Sequence, residues 1–179
     1  MRPHHVDWTF IEQAEGTSLV GYVPTRFGLP IGKSGVTIAT GFDLGQQGEW
    51  DLVALKLSAD LKSRLVPYLG KRGLSAILLL KRRPLSVTAL EALEIDDAVR
   101  RRILDTVIRN YELATCQDFD ALPREFQTVV ASLAMNFGPN FKNTLPVLWR
   151  AICRKDAFLL RELLLAWPSQ APGLKARRE

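Results

Sequence analysis

The chain predicts an α+β fold, mainly α, and three observations carry that prediction. Residues 17 to 48 are punctuated by Gly, Pro, Ser and Thr around short β-prone runs, the mark of a small antiparallel sheet lobe with loops. From Glu49 onward apolar residues recur at helical spacing, which marks a larger helical lobe. At 179 residues and 47% hydrophobic, the chain can bury a core and is not disordered. The expected organisation is one domain over residues 1–179, with the sheet lobe at about 17–48 and the helical lobe over 49–179 plus an N-terminal helix.

Trp8 to Glu15 reads as that first helix. Phe10, Ile11 and Ala14 are placed on one face, and Asp7 is positioned to cap the start. Gly16 then suits the left-handed residue that ends a helix. Glu15 is thereby set at a helix C-terminus, where the dipole disfavours a negative charge. A general acid benefits from such a place; a frayed surface glutamate is the bland alternative. Strands are expected within Val20 to Val23 and Val36 to Phe42. The loop Thr25 to Ser34 holds Arg26, Phe27 and Lys33 among the turn formers Gly28, Pro30 and Gly32.

Helices follow over Asp51 to Lys56, Ser58 to Leu69 (with Ser58 as cap) and Gly73 to Arg83, which stops before Pro84. Thr88 to Leu93 and Asp96 to Ala114 are read as two further helices. The latter carries Val99, Ile103, Val107, Ile108 and Tyr111 at helical spacing. Phe126 to Phe137 is mostly apolar and is expected to be the most buried. Leu145 to Arg154 and Ala157 to Trp167 complete the set. Of Trp50, Trp149 and Trp167, the last two are assigned to core packing rather than to stacking on sugars.

Composition narrows the function classes. The net charge is +5, so an anionic partner, nucleic acid or acidic wall polymer, suits the surface. Arg100-Arg101-Arg102 is the most nucleic-acid-like feature. Consecutive helical residues point about 100° apart, however, so these three form no stripe. No recognised nucleic-acid motif accompanies them, and no nucleic-acid partner is expected. No run approaches the roughly 18 apolar residues of a membrane span, so no membrane insertion is expected. The start, Met1 to Asp7, has no apolar run and is not read as a secretory signal. Made in the cytoplasm, such a protein would reach a wall by holin-type leakage, a dedicated secretion machine or lysis. Cys116 and Cys153 are too few for a disulfide framework and are read as reduced. No spacing suggests a metal, and no cofactor is expected.

The segment Gly35-Val-Thr-Ile-Ala-Thr-Gly-Phe-Asp-Leu-Gly45 carries the chemistry. At period two, Val36, Ile38, Thr40 and Phe42 face one way, while Thr37, Ala39, Gly41 and Asp43 face the other. A straight strand would hold Thr37 and Asp43 about 20 Å apart. The chain must therefore fold back if they serve one bond, and Thr40-Gly41 is the place for a tight turn. That turn would set Thr37 beside Leu44 and Asp43 opposite Ile38. Two carboxylates and a hydroxyl are then available. Such a pair is the minimal apparatus for glycoside hydrolysis: one acid donates to the leaving oxygen, the other activates a water or stabilises the oxocarbenium-like state. Tyr22 is read as a cleft contact of the sheet lobe. Asn136 is read either as a satisfied buried amide or as a second substrate contact.

Glu15-Gly16, the Gly-Tyr-Val-Pro stretch at 21 to 24 and the segment 35 to 45 resemble the muramidase domain of pesticin-type bacterial toxins, itself similar to phage lysozymes. Pro84 to Asp96, Ala134-Met-Asn-Phe-Gly138 and the basic end Gly173 to Glu179 are similar to later parts of the lysozyme chain. The resemblance implies a lysozyme-like fold and hydrolysis of the β-1,4 bond between N-acetylmuramic acid and N-acetylglucosamine. It implies Glu15 as catalytic acid, Thr37 as catalytic threonine and Asp43 as the aspartate that follows it. Phage lysozymes carry their aspartate before the threonine, and here no acid lies between Glu15 and Thr37. Peptidoglycan glycan strands are the implied partner, with a monomer expected. As an antibacterial effector acting in a target periplasm, the protein would have an immunity protein plugging its cleft. A phage-derived endolysin with the same activity and a non-catalytic wall-binding protein are the alternatives.

Overall fold

The computed structural model describes residues 4–166, and of residues 12–15 the backbone alone. Trp167, Arg177, Arg178 and the basic end from Gly173 lie outside the described residues. The fold is α+β and mainly helical, with a small three-stranded antiparallel sheet and a separate two-stranded hairpin. The chain forms two compact units: Gly16–Val99, and residues 4–15 with 100–166.

The first unit holds the sheet. Strand β1 (Ser18–Tyr22) pairs antiparallel with β4 (Thr37–Ala39), and β4 pairs with β5 (Phe42–Asp43). Between them β2 (Thr25–Arg26) and β3 (Leu29–Pro30) make a separate two-stranded hairpin. The register of β1 against β4 runs Ser18↔Ala39 and Tyr22↔Thr37, so β1 bulges over its middle. In that bulge the backbone bonds elsewhere: Gly21 N donates to Leu85 O at 2.8 Å and Val87 N to Leu19 O at 2.9 Å. Gly21 leaves room for this approach, since a Cβ there would lie 3.0 Å from the Leu85 Cβ.

This unit reaches well beyond the residues read as sheet material. The apolar sheet residues Val36, Ile38, Phe42 and Leu44 need cover, and Leu52, Leu61, Leu65, Tyr68 and Ile95 supply it from the helical part of the chain. Burying one such leucine stabilises by roughly 1.5–3 kcal/mol, so the helices are held by this face more than by propensity. They are α2 (Glu49–Ala54), α3 (Ala59–Leu65), α4 (Gly73–Arg82) and the start of α5 (Ala89–Thr115). Ser58 precedes α3 without a side-chain cap bond to it; instead its N–H donates to Glu94 Oε1 at 2.6 Å.

Helix α5 corrects the expectation of two helices there. It runs unbroken for 27 residues, because nothing between Leu93 and Asp96 removes a donor or needs a special dihedral, and Ile95 is fully buried. Its start is a reciprocal capping box: Glu91 N donates to Thr88 Oγ1 at 3.2 Å, and Thr88 N to Glu91 Oε2 at 2.8 Å. Arg64 also pairs with Glu91.

The second unit is helical: α1 (Trp8–Glu15), the rest of α5, α6 (Arg124–Phe137), α7 (Pro146–Cys153) and α8 (Ala157–Leu165). Val107, Tyr111, Phe119, Val130, Phe141 and Ile152 are buried together. Trp149 joins them, edge-to-face on Phe141 at 5.4 Å, as core packing requires. Helix α1 starts as the sequence predicts, with Phe10 N donating to Asp7 Oδ1 at 3.0 Å, and ends at Gly16 with φ +69°. Among its described side chains the buried one is Ile11, against Val6, Leu104 and Ala131. Phe10 is exposed, a turn of about 100° away from Ile11, which corrects its placement on the buried face. Gln127, buried in α6, accepts from His5 N at 2.9 Å and donates to Leu122 O at 2.9 Å, so its burial is compensated.

Candidate active site

Thr37 and Asp43 are brought together. They face each other as direct partners across β4 and β5, with Ile38 opposite Phe42 next along the pair. The chain therefore folds back as the distance argument demands, but one residue wider than Thr40-Gly41. Ala39 joins the connection at φ +53°, and Gly41 sits at +85°. A left-handed alanine costs roughly 1–2 kcal/mol, which local contacts must offset. They do so at Thr40: its N–H donates to Asp96 Oδ1 at 3.1 Å, and its hydroxyl to Asp96 Oδ2 at 2.7 Å. The one hydroxyl proton of Thr40 is thereby used, so the 3.2 Å contact with Thr17 Oγ1 is donated by Thr17. Thr40 and Asp96 are both buried. The unexpected register thus has a cause in a carboxylate 56 positions away.

Asp43 is half-buried and its carboxylate is held by backbone. Oδ1 accepts from Gly45 N at 2.8 Å and Gly35 N at 3.0 Å; Oδ2 accepts from Gly35 N at 3.2 Å. In the same stroke Asp43 caps the single 3-10 turn Leu44–Gln46. Oδ1 is filled by two donors, so Oδ2 is the oxygen with capacity left for a proton or a water.

Two glycines make this grip. A Cβ on Gly35 would lie 2.4 Å from the Gly45 Cα and 2.5 Å from Lys71 O; one on Gly45 would lie 2.6 Å from the Gly35 Cα. Neither site admits a side chain. Arg72 Nε donates to Gly45 O at 2.7 Å, and Gly73 N to Ser34 O at 2.9 Å, pinning both ends of the segment. Thr37 is only 4% exposed, and its hydroxyl donates to Gly35 O in a long bond of 3.4 Å, leaving its lone pairs unspent.

The remaining sequence-derived residues are distributed as follows. Tyr22 pairs with Thr37 from the other side, across β1 and β4, and is 40% exposed. Glu15 is the last residue of α1, followed by the left-handed Gly16. Asn136, on α6 in the other unit, is exposed, and its Nδ2 donates to Ser132 O one turn back at 2.8 Å. Sequence reasoning missed Asp96. Its signal was an acid within the apolar stripe Ala92, Ile95, Val99, where a solvated carboxylate has no reason to be. It also missed what Gly35 and Gly45 do, although both stand in the segment it singled out. Among the described residues no group of three or more His, Cys, Asp or Glu side chains is placed to hold a metal, and no helix is long and apolar enough to cross a membrane.

Comparison with known families gives one result. The profile of the Pesticin family, described as "Bacterial toxin homologue of phage lysozyme, C-term", matches residues 5–157 of the 179. A search of curated proteins found no match.

Proposed function

Because this chain belongs to the Pesticin family, bacterial toxin homologues of phage lysozyme, we propose that it is a muramidase. Its reaction is hydrolysis of the β-1,4 bond between N-acetylmuramic acid and N-acetylglucosamine in peptidoglycan. The observation that carries this reading within the chain is the Thr37–Asp43 pair, with the Asp43 carboxylate fixed by the N–H groups of Gly35 and Gly45.

Glu15 donates its proton to the glycosidic oxygen as the bond from the anomeric carbon to that oxygen breaks. Asp43, through Oδ2, takes a proton from the water that attacks the anomeric carbon. Thr37 offers a lone pair of its hydroxyl to orient that water. The products are a free reducing end and a new 4-hydroxyl, and the enzyme returns with Asp43 protonated and Glu15 ionised, one proton exchange from the start. The toxin reading carries with it peptidoglycan strands as substrate, action in the periplasm of a target cell, and a cognate immunity protein that blocks the same residues. An endolysin of the same activity would use the same chemistry.

A zymogram with purified peptidoglycan tests the assignment. Wild type should clear the gel, and Glu15→Gln and Asp43→Asn should not; equal clearing by these variants refutes the roles. Mass spectrometry of the products separates hydrolysis from lytic transglycosylation, which needs no second acid and leaves anhydro-sugars.

A further inference from the structure

The hairpin of β2 and β3 is built against its own stability. Thr25 pairs with Pro30 and Arg26 with Leu29, so Phe27 and Gly28 form a two-residue turn, with φ of +53° and +78°. Positive φ at both central positions is the type I′ pattern, which favours Asn-Gly or Asp-Gly. A phenylalanine there is strained, and this one is 94% exposed. It recovers no burial in exchange. Arg26 stacks on it, with the guanidinium 5.5 Å from the ring centroid. Leu29 and Ile31 are 65% and 51% exposed on the same arm. An apolar, strained tip with so little burial is a feature to be explained by what it touches.

Position and charge narrow the partner. The arm leaves the sheet just after Tyr22, which pairs with Thr37, and returns at Gly35, whose N–H holds Asp43. It is rooted at both ends on the candidate pair. The four residues 23 to 26 between root and tip can carry the tip at most about 14 Å from that root. From Gly16 to Phe42 the charged side chains are Arg26 and Lys33, both cations. In stem-bearing glycan the lactyl carboxyls of the muramyl sugars are tied up as amides, so the sugar backbone is neutral and gives cations nothing to pair with. The peptide stems on the muramyl residues bear free carboxylates and alanine methyl groups, which match cations beside Phe27, Leu29 and Ile31.

We infer that this hairpin, with Lys33, grips the peptide stems of peptidoglycan, so that the enzyme cuts stem-bearing glycan in preference to bare glycan. The inference rests on the muramidase reading. Arg26 and Lys33 pair with stem carboxylates, while the apolar tip covers the stem's methyl groups. The arm is specificity-determining and takes no part in proton transfer.

The test compares intact sacculi with glycan strands stripped of stems by an amidase and then capped as methylamides at the freed lactyl carboxylates, using wild type, Phe27→Asn and the double variant Arg26→Gln/Lys33→Gln. Wild type should show a kcat/KM about tenfold higher on the stem-bearing substrate. In both variants that ratio should fall toward one, through KM on the stem-bearing substrate. Phe27→Asn supplies the residue the turn favours, so its Tm should be unchanged or higher, which separates lost recognition from lost folding. A wild-type ratio near one, or a ratio unmoved in the variants, overturns the inference alone. So does an unmoved ratio accompanied by lost binding to vesicles of anionic lipid, which would assign the tip to a membrane. Wild type that cleaves neither substrate overturns the muramidase reading and the inference with it.

Discussion

Gly35 and Gly45 stand back to back, so close that a Cβ on Gly35 would sit 2.4 Å from the Gly45 Cα. Lys71 O, 2.5 Å from the same point, closes the way out. Gly35→Ala or Gly45→Ala must therefore push backbone apart, and each should destabilise the protein by about 3 kcal/mol or more. Gly41→Ala is the control, because nothing lies within 4 Å of its Cβ position and only its φ of +85° opposes the change. It should cost about 1–2 kcal/mol. Urea midpoints for the three variants check the ranking.

Asp43 anchors the Gly35 and Gly45 N–H groups and is proposed as the base, and different substitutions separate the two. Asp43→Asn keeps an oxygen for the Gly35 and Gly45 N–H groups, so its stability should stay within about 1 kcal/mol of wild type. Asp43→Ala leaves both donors without their acceptor and should cost about 1–3 kcal/mol. Turbidity clearing of purified walls should fall in both by about 10²-fold or more, the usual scale for a general base. Loss of clearing that tracks stability, rather than the carboxylate, would remove the base role.

Asp96 is expected to matter at a distance from any substrate. Asp96→Ala strips the buried Thr40 N–H and hydroxyl of their acceptor and should cost about 2–3 kcal/mol. Thr40→Ser keeps both bonds and should cost less than about 1 kcal/mol. Denaturation midpoints, with wall-clearing rates measured on the same preparations, compare the two. A clearing rate that holds in Asp96→Ala would show that the turn keeps its shape without the carboxylate.

How far the sequence carried the description depends on how local each cause is. Helix α1, its Asp7 cap and the left-handed Gly16 were legible because cap, spacing and glycine all lie within one short segment. The meeting of Thr37 and Asp43 was legible on the premise that both serve one bond, since a straight strand would hold them about 20 Å apart. The register was misjudged by one residue because alanine announces no positive φ, and the group that imposes it, Asp96, is remote in sequence. Phe10 and Ile11 are neighbours with equal hydrophobicity, so only the packing partners Leu104 and Ala131 decide which turns inward. Helix α5 was divided because its polar residues at 94, 96 and 97 broke the apolar rhythm; two of them, Glu94 and Asp96, are spent on Ser58 and Thr40.

The start of α5 gives a pH test. The Thr88 N–H lowers the Glu91 pKa below its ordinary value; burial opposes it as the next effect, and the Arg64 guanidinium and the Thr88 hydroxyl add to the lowering. A lowered folded-state pKa contributes stability that is present above the ordinary glutamate value and lost as pH falls through the folded one. Wild type should exceed Glu91→Gln in urea midpoint at neutral pH, and the gap should close on acidification below about pH 4. A gap that persists or widens in acid would contradict the ion-pair and cap assignment.

Tyr111 offers a gain. Its hydroxyl is buried with no well-formed hydrogen bond among the described residues; burial raises its pKa, against a smaller lowering by the nearby Thr115 hydroxyl. The ring itself packs edge-to-face on Phe119 at 5.7 Å. Tyr111→Phe keeps the ring and removes the uncompensated oxygen, so it should leave stability unchanged or raise it by about 1 kcal/mol. Thermal melting of the variant decides this.

The closure of residues 35–45 on themselves has a consequence for the chain before them. Because Gly35 and Gly45 lock against each other and against Lys71, the position of Asp43 is settled inside that segment. The stretch from Val23 to Ser34 inherits little duty in holding it. Lengthening such a stretch adds only loop-closure entropy, about 0.6 kcal/mol for each doubling. A chain lengthened, trimmed or rewritten there should still set Thr37 opposite Asp43, so substitution and insertion in the arm meet little structural resistance.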